Sequence, residues 1–247
     1  LEAREVRSAN PESYSCRADC PAAVAAAAAP MTFHLPEALA VPDDDQALRL
    51  IHSYYGWPDG SGEPATGALF DGWDSAGTRD RDSDRFTADD LVAITFLSVS
   101  VPGRTARDLL RDRADALSAL LAEVGPDRDL VDEPDPLTPC WPAWRLYKAV
   151  DDIKGIDRTI ASKLLARKRP RLLPVWDKYI GKVTGCTGQH WEPLRQALRA
   201  DDRALHRRLV RLHEAAKLPA EVSPLRVLDV ICWLQGKAEA GSAPSAG

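Results

Sequence analysis

The 29 residues from Gly155 to Val183, GIDRTIASKLLARKRPRLLPVWDKYIGKV, constrain this chain more than any other stretch. A glycine-led turn, Gly155-Ile156-Asp157-Arg158, runs into a segment whose Ile160, Ala161, Leu164 and Leu165 share one face at helical spacing. Pro170 and Pro174 stop that helix and force an extended approach to Trp176 and Asp177, because a residue before proline is pushed out of the helical region. The opposite face and the exit of the helix are cationic. Lys154, Arg158, Lys163, Arg167, Lys168, Arg169 and Arg171 against the single Asp157 give residues 154–171 a net charge of +6, inside a chain whose total is −5. Such a local reversal is the pattern of a phosphate-binding face.

The rest of the chain reads as helices broken by loops. Of its 247 residues 45% are hydrophobic, enough to bury a full core as one large or two small domains. Alternating β-branched runs that would call for a large sheet are few. A helix is expected over Asp43–Tyr54, with Ala47, Leu50, Ile51 and Tyr54 inward. A long loop should follow over 56–83. Thr87 and Asp90 form a capping-box signal for a helix that buries Leu91, Ile94 and Leu97 and is closed by Pro102. One amphipathic helix is expected over Thr105–Val124. Residues 125–142 hold five prolines and are the best lobe boundary. Beyond it, helices are expected near Trp141–Ile153, Ile160–Lys168, Lys178–Val183, Trp191–Leu198, Asp202–Ala216 and Pro224–Leu234. The expected architecture is all-α and two-lobed, with an acidic lobe over 31–135 and a basic lobe over 136–236. Residues 1–30 read as a disordered leader ahead of Met31, the only methionine, and 237–247 as a flexible tail.

Charge is divided by position. Residues 42–135 carry 21 acidic against 9 basic side chains, net −12, and residues 151–217 carry 16 basic against 8 acidic, net +8. All eight lysines lie at or beyond Lys148. Two readings fit: solvated surfaces of opposite sign that attract each other, or a nucleic-acid face with an acidic back. No apolar stretch is long enough to span a membrane, and the cytoplasm is the expected compartment. The five cysteines, at 16, 20, 140, 186 and 232, are scattered and odd in number, which argues against a disulfide framework. They also lack the spacing of a zinc site or an iron-sulfur cluster, so no metal or other cofactor is expected.

The segment resembles the helix-hairpin-helix motif of the DNA glycosylase superfamily with a Gly/Pro-rich loop and an essential Asp. Laid over that motif without gaps, Gly155 takes the first hairpin glycine, Ala161 the helix alanine and Asp177 the catalytic carboxylate, while Ile180, Lys182 and Val183 close the family segment. Asp157 stands where the second hairpin glycine lies, so a carboxylate would face the phosphate. Thr159 stands where bifunctional members keep a Schiff-base lysine, so the resemblance implies a monofunctional enzyme without lyase activity. The stretch Phe86–Val99, FTADDLVAITFLSV, is similar to an actinobacterial family of unknown function and adds no chemistry.

From that resemblance Asp177 is the expected catalytic residue, stabilising positive charge on the sugar of a flipped nucleotide and orienting water. An Asp at this position also serves as an ordinary helix N-cap, and the two roles are compatible. Gly155, Arg158, Thr159, Lys163, Arg167, Lys168, Arg169, Arg171 and Lys178 are the expected contacts to duplex DNA, against the plainer reading of a solvated cationic face. Trp176 is the candidate for stacking on an extruded base, while Trp141, Trp144, Trp191 and Trp233 read as core. His190 has no spaced partner and is no metal ligand. The expected function is DNA binding, with removal of a damaged or modified base as its specific form. The alternatives are a non-catalytic helix-hairpin-helix DNA-binding protein and a helical protein-interaction module.

Overall fold

The computed structural model describes residues 32–186, 188 and 190–242. The described residues form eleven α-helices and no strand, so the protein is all-α. They are α1 Glu37–Ala40, α2 Asp45–Tyr55, α3 Leu69–Gly72, α4 Ala88–Phe96, α5 Gly103–Arg107, α6 Ala114–Val124, α7 Pro142–Asp151, α8 Arg158–Lys168, α9 Lys178–Thr184, α10 Trp191–Ala215 and α11 Pro224–Ser242. No described helix is long and apolar enough to cross a membrane. The expected leader, residues 1–30, lies outside the described residues.

One hydrophobic core runs from Ala38 to Cys232, and residues on both sides of position 135 fill it, so the two expected lobes share it. The proline-rich stretch 125–142 is knitted into this core rather than left as a linker. Leu130, Val131 and Leu137 are buried. Arg195 and Arg199 of α10 each donate to the Glu133 carbonyl, and the Trp141 indole donates to the Glu133 carboxylate. α8 lies at the centre: Ile160 to Lys168 are all buried, the cationic positions included.

Several elements differ from the sequence reading for local reasons. Thr87 and Asp90 do form a capping box on α4. The expected Thr105–Val124 helix is interrupted by a π-helical turn over Asp108–Asp112 and restarts at Ala114. The two helices expected over 191–216 are joined across a kink at Ala200–Arg203, where Asp201, Asp202 and Arg203 adopt positive φ. α11 continues to Ser242, so the described part of the expected tail is helical. Trp191 is fully buried, and Trp141, Trp144 and Trp233 pack against the core. Cys186 and Cys232 are free and buried, whereas Cys140 is disulfide-bonded, a departure from the unpaired cysteines expected.

The opposite charges of the two halves pair with each other, some in the core and some at the surface. Arg167 and Lys168 pair with Asp90, Arg169 with Asp84, Arg171 with Asp129, Arg208 with Asp44 and Arg226 with Asp71. Every one of these pairs joins the basic second half to the acidic first half. Much of the charge asymmetry is therefore internal complementarity.

Candidate active site

Asp177 ends an extended segment held against α8 by one side chain. Ser162 Oγ accepts from Trp176 N–H at 3.0 Å and donates to the Trp176 carbonyl at 2.8 Å. This two-way clamp fixes the residue before Asp177. The Asp177 backbone is extended, and its Oδ1 accepts from Tyr179 N–H at 2.9 Å and Ile180 N–H at 3.1 Å, so it caps α9 as expected. α11 braces α9 from behind at Gly236, where a Cβ would stand 2.9 Å from the Tyr179 carbonyl oxygen. The carboxylate is thus positioned by two backbone N–H groups of α9, with the preceding residue fixed by Ser162.

Two cavities adjoin at this residue. The outer one, about 390 Å³, is lined by Arg158, Thr159, Trp176, Asp177, Lys178 and Lys182 among others. The inner one, about 470 Å³, is lined by Tyr54, Lys163, Asp177, Arg226, Asp229 and Trp233 among others. Both lie in the size range of small-molecule sites, roughly 300–1,000 Å³. The start of α8 and the acid 22 positions beyond Gly155 therefore share one cleft. Arg158, Lys178 and Lys182 are exposed around the outer mouth, and Lys182 Nζ lies 3.4 Å from Glu239 Oε2.

Gly155 itself faces away from this cleft. Its φ is +95°, and a Cβ there would lie 2.4 Å from Thr105 Oγ1. Thr105 Oγ1 in turn donates to the Lys154 carbonyl at 2.7 Å. Glycine is required here to let the turn dock on α5. Asp157, in place of a second glycine, has φ −106° and caps α8 by accepting from Ile160 N–H at 2.8 Å. That carboxylate occupies the helix N-terminus where a phosphate would otherwise be drawn.

Four expected DNA contacts are corrected by burial. Lys163, Arg167, Lys168 and Arg169 are 5%, 2%, 6% and 1% exposed. Lys163 Nζ donates to the Leu97 carbonyl at 2.8 Å at the end of α4. Arg167 donates to the Phe70, Asp71 and Trp73 carbonyls. Lys168 Nζ sits 2.6 Å from Asp90 Oδ2, and Arg169 donates to the Leu121, Gly125 and Ser83 carbonyls. These cations satisfy carbonyl oxygens left open by helix ends and turns, which a helix macrodipole favours. Burial lowers the pKa of Lys163, Arg167 and Lys168. Arg171 is exposed but held by Asp129, with Nε–Oδ1 at 2.9 Å and Nη2–Oδ2 at 2.6 Å. The end of α8 and Arg171 border a separate cavity of about 600 Å³ that does not include Asp177.

Trp176 lies at the outer cavity with its ring stacked on His190, centroids 3.8 Å apart and planes within 8°. One ring face is therefore already covered. Burial pushes the His190 pKa down to about 3, so the imidazole is neutral. With Nδ1 as donor to the Gly188 carbonyl at 3.2 Å, Nε2 is left as an acceptor, and it has no partner among the described residues. Among the described residues no group of three or more His, Cys, Asp or Glu side chains is placed to hold a metal.

The inner cavity ends in charges that the sequence reading missed. Arg226 and Asp229 belong to α11, in the apolar run LRVLDVICWL, and both are buried. Arg226 Nε contacts Asp71, Nη1 contacts Asp229 Oδ1 at 2.5 Å, and Nη2 donates to Tyr54 Oη at 2.7 Å. A spacing of three between opposite charges in an apolar helix was the available signal.

No curated protein and no solved structure matches the chain. The model of a family of unknown function, DUF6308, matches residues 47–236, which takes in α8, Asp177 and most of α11. The chain is a member of that family.

Proposed function

We propose that this protein binds DNA at the outer cavity and hydrolyses an N-glycosidic bond there as a monofunctional glycosylase, with Asp177 as the catalytic carboxylate. The observation that carries the reading is that Arg158, Thr159, Asp177 and Lys178 line one cleft, although nearly twenty residues separate the two pairs. In this mechanism Arg158 and Lys178 attract the phosphates on either side of the target nucleotide. The nucleotide leaves the stack so that its sugar meets Asp177. Asp177 Oδ1 is committed to two backbone N–H groups, which fixes the carboxylate. The charge of that carboxylate stabilises the developing oxocarbenium ion, and it accepts the proton of the attacking water. Trp176, backed by His190, forms a rigid wall of the cleft.

A panel of duplexes, each carrying one altered base, tests the activity by alkaline cleavage at abasic product. Product from at least one duplex supports the reading. No product from any duplex, together with binding that does not weaken as salt rises, overturns it.

A second reading is a DNA-binding protein without catalysis. It is favoured by Asp157, whose carboxylate already occupies the start of α8. Salt-sensitive binding with no product on any duplex would select it.

A further inference from the structure

We infer that Asp229 is the acid of the inner cavity, delivering a proton to a ring nitrogen of a neutral base as its glycosidic bond breaks. The inference rests on the glycosylase reading above and adds the second carboxyl group and the class of base. Asp229 lines the cavity that Asp177 also lines, and it is 3% exposed.

Charge counting locates the proton. Asp71 and Asp229 share the single guanidinium of Arg226, so with both acids ionised the buried cluster carries an uncompensated negative charge. Asp71 is fully supported: Arg226 Nε lies 3.2 Å and 3.1 Å from its two oxygens, and Tyr55 Oη donates to Oδ2 at 3.0 Å. Among the described residues Asp229 receives only Arg226 at Oδ1, and its Oδ2 is buried without a partner. The less supported carboxylate holds the proton.

Charges of both signs face the cluster from the elements packed against it. Tyr54 and Tyr55 on α2 and Asp71 on α3 face the cluster, Asp177 at the cap of α9 adds a negative charge, and Lys163 on α8 adds a positive one. On α11 itself Arg226 favours ionisation, and the Cys232 thiol is neutral because burial raises its pKa. Burial outweighs Arg226 and raises the Asp229 pKa to about 7, with Asp71 and Asp177 acting in the same direction.

The step balances. The electron pair of the C1′–N bond leaves with the base nitrogen, and the Asp229 proton passes to a basic ring nitrogen, so the base departs neutral. Water adds to C1′ and its proton goes to Asp177. Asp229 is reprotonated from solvent, and Asp177 returns its proton there. The chemistry selects a neutral base with a basic ring nitrogen, such as hypoxanthine. A base that is already cationic, such as 7-methylguanine, leaves neutral with no acid at all.

Single-turnover excision of these two bases from otherwise identical duplexes, by the full chain and by Asp229→Asn, tests the inference. Asp229→Asn should lose roughly 100-fold or more on hypoxanthine. On 7-methylguanine it should stay within about threefold, because general-acid catalysis contributes nothing there. The wild-type rate on hypoxanthine should also fall as pH rises through about 7, while that on 7-methylguanine does not. Activity of the variant on 7-methylguanine shows that it is folded. If the variant is inactive on both, the wild-type profiles decide, and a hypoxanthine rate that does not fall overturns the inference. Equal partial losses on the two bases overturn it and leave the glycosylase reading standing. A wild-type chain inert on both bases overturns the acid role, and the panel of altered bases then decides the glycosylase reading separately.

Discussion

Lys168 Nζ lies 2.6 Å from Asp90 Oδ2, with both side chains 3% exposed. Asp90 also closes the capping box of α4 by accepting from Thr87 N–H at 2.8 Å. The most basic stretch of the chain is thereby tied to the most acidic half through a dry contact between α8 and α4. Lys168→Ala leaves the buried Asp90 carboxylate with only the longer Arg167 contact, Nε–Oδ1 at 3.5 Å, and should cost about 3 kcal/mol. Urea unfolding reads this directly. Combining it with Asp90→Leu should recover part of the loss, because the carboxylate that has lost its shorter ion pair is then gone. A change within 0.5 kcal/mol for Lys168→Ala, an order-of-magnitude threshold for surface substitutions, would mean the pair is not buried in solution.

Salt dependence separates cations at the cleft from cations in the core. Arg158→Ala and Lys178→Ala should each reduce the slope of log K against log salt by about 1, if each side chain neutralises one phosphate. Arg171→Ala should leave the slope unchanged, since Asp129 already holds that guanidinium. Fluorescence anisotropy with a labelled duplex at several salt concentrations measures all three. Equal slopes for the wild type, Arg158→Ala and Lys178→Ala would remove the outer cavity from DNA binding.

Gly155→Ala should destabilise the chain by more than about 1 kcal/mol. An L-residue at φ +95° is strained, and its Cβ would overlap Thr105 Oγ1. Thr105→Ala on the same background removes the overlap but not the strain, so thermal denaturation should show partial rescue only. Full rescue would mean that the turn tolerates an L-residue without strain.

Two buried groups make stability respond to pH in opposite senses. The pKa of His190 falls from 6.5 to about 3, so the unfolded chain binds the extra proton, and the stability His190 contributes above pH 6.5 is lost as pH falls toward 3. The pKa of Asp229 rises from 3.8 to about 7, so the folded chain binds the extra proton, and that contribution, present below pH 3.8, is lost as pH rises through 7. Between pH 4 and 6.5 the two trends oppose. His190→Phe should leave a stability that declines with pH, and Asp229→Asn one that climbs. Urea midpoints at half-unit intervals test both slopes, and parallel curves for the two variants would contradict the assignment.

Much of this fold is legible in the sequence because helical periodicity and capping residues are local. Thr87 and Asp90, Asp177 ahead of Lys178, and the apolar face of α8 all form as their spacing indicates. The burial of Lys163, Arg167, Lys168 and Arg169 is not legible that way. A buried cation is recognisable only from its partners, and the Leu97, Phe70, Asp82 and Leu121 carbonyls lie 48–97 positions away in the chain. The same limit hid the role of Arg226, whose partners Tyr54 and Asp71 are on α2 and α3, whereas Asp229 pairs with Arg226 three positions away on its own helix. The exposed cations Arg158 and Lys178 keep the position their sequence suggests, beside Asp177.

Asp177→Asn gives the most direct test of the central claim. Asn caps a helix about as well as Asp, so the fold should persist within about 0.5 kcal/mol, while the charge facing the sugar is removed. On a duplex whose altered base the wild-type chain excises, single-turnover abasic-product formation should drop by roughly 100-fold or more. Equal rates for the two proteins would contradict the account, because the carboxylate shared by the two cavities would then take no part in the reaction.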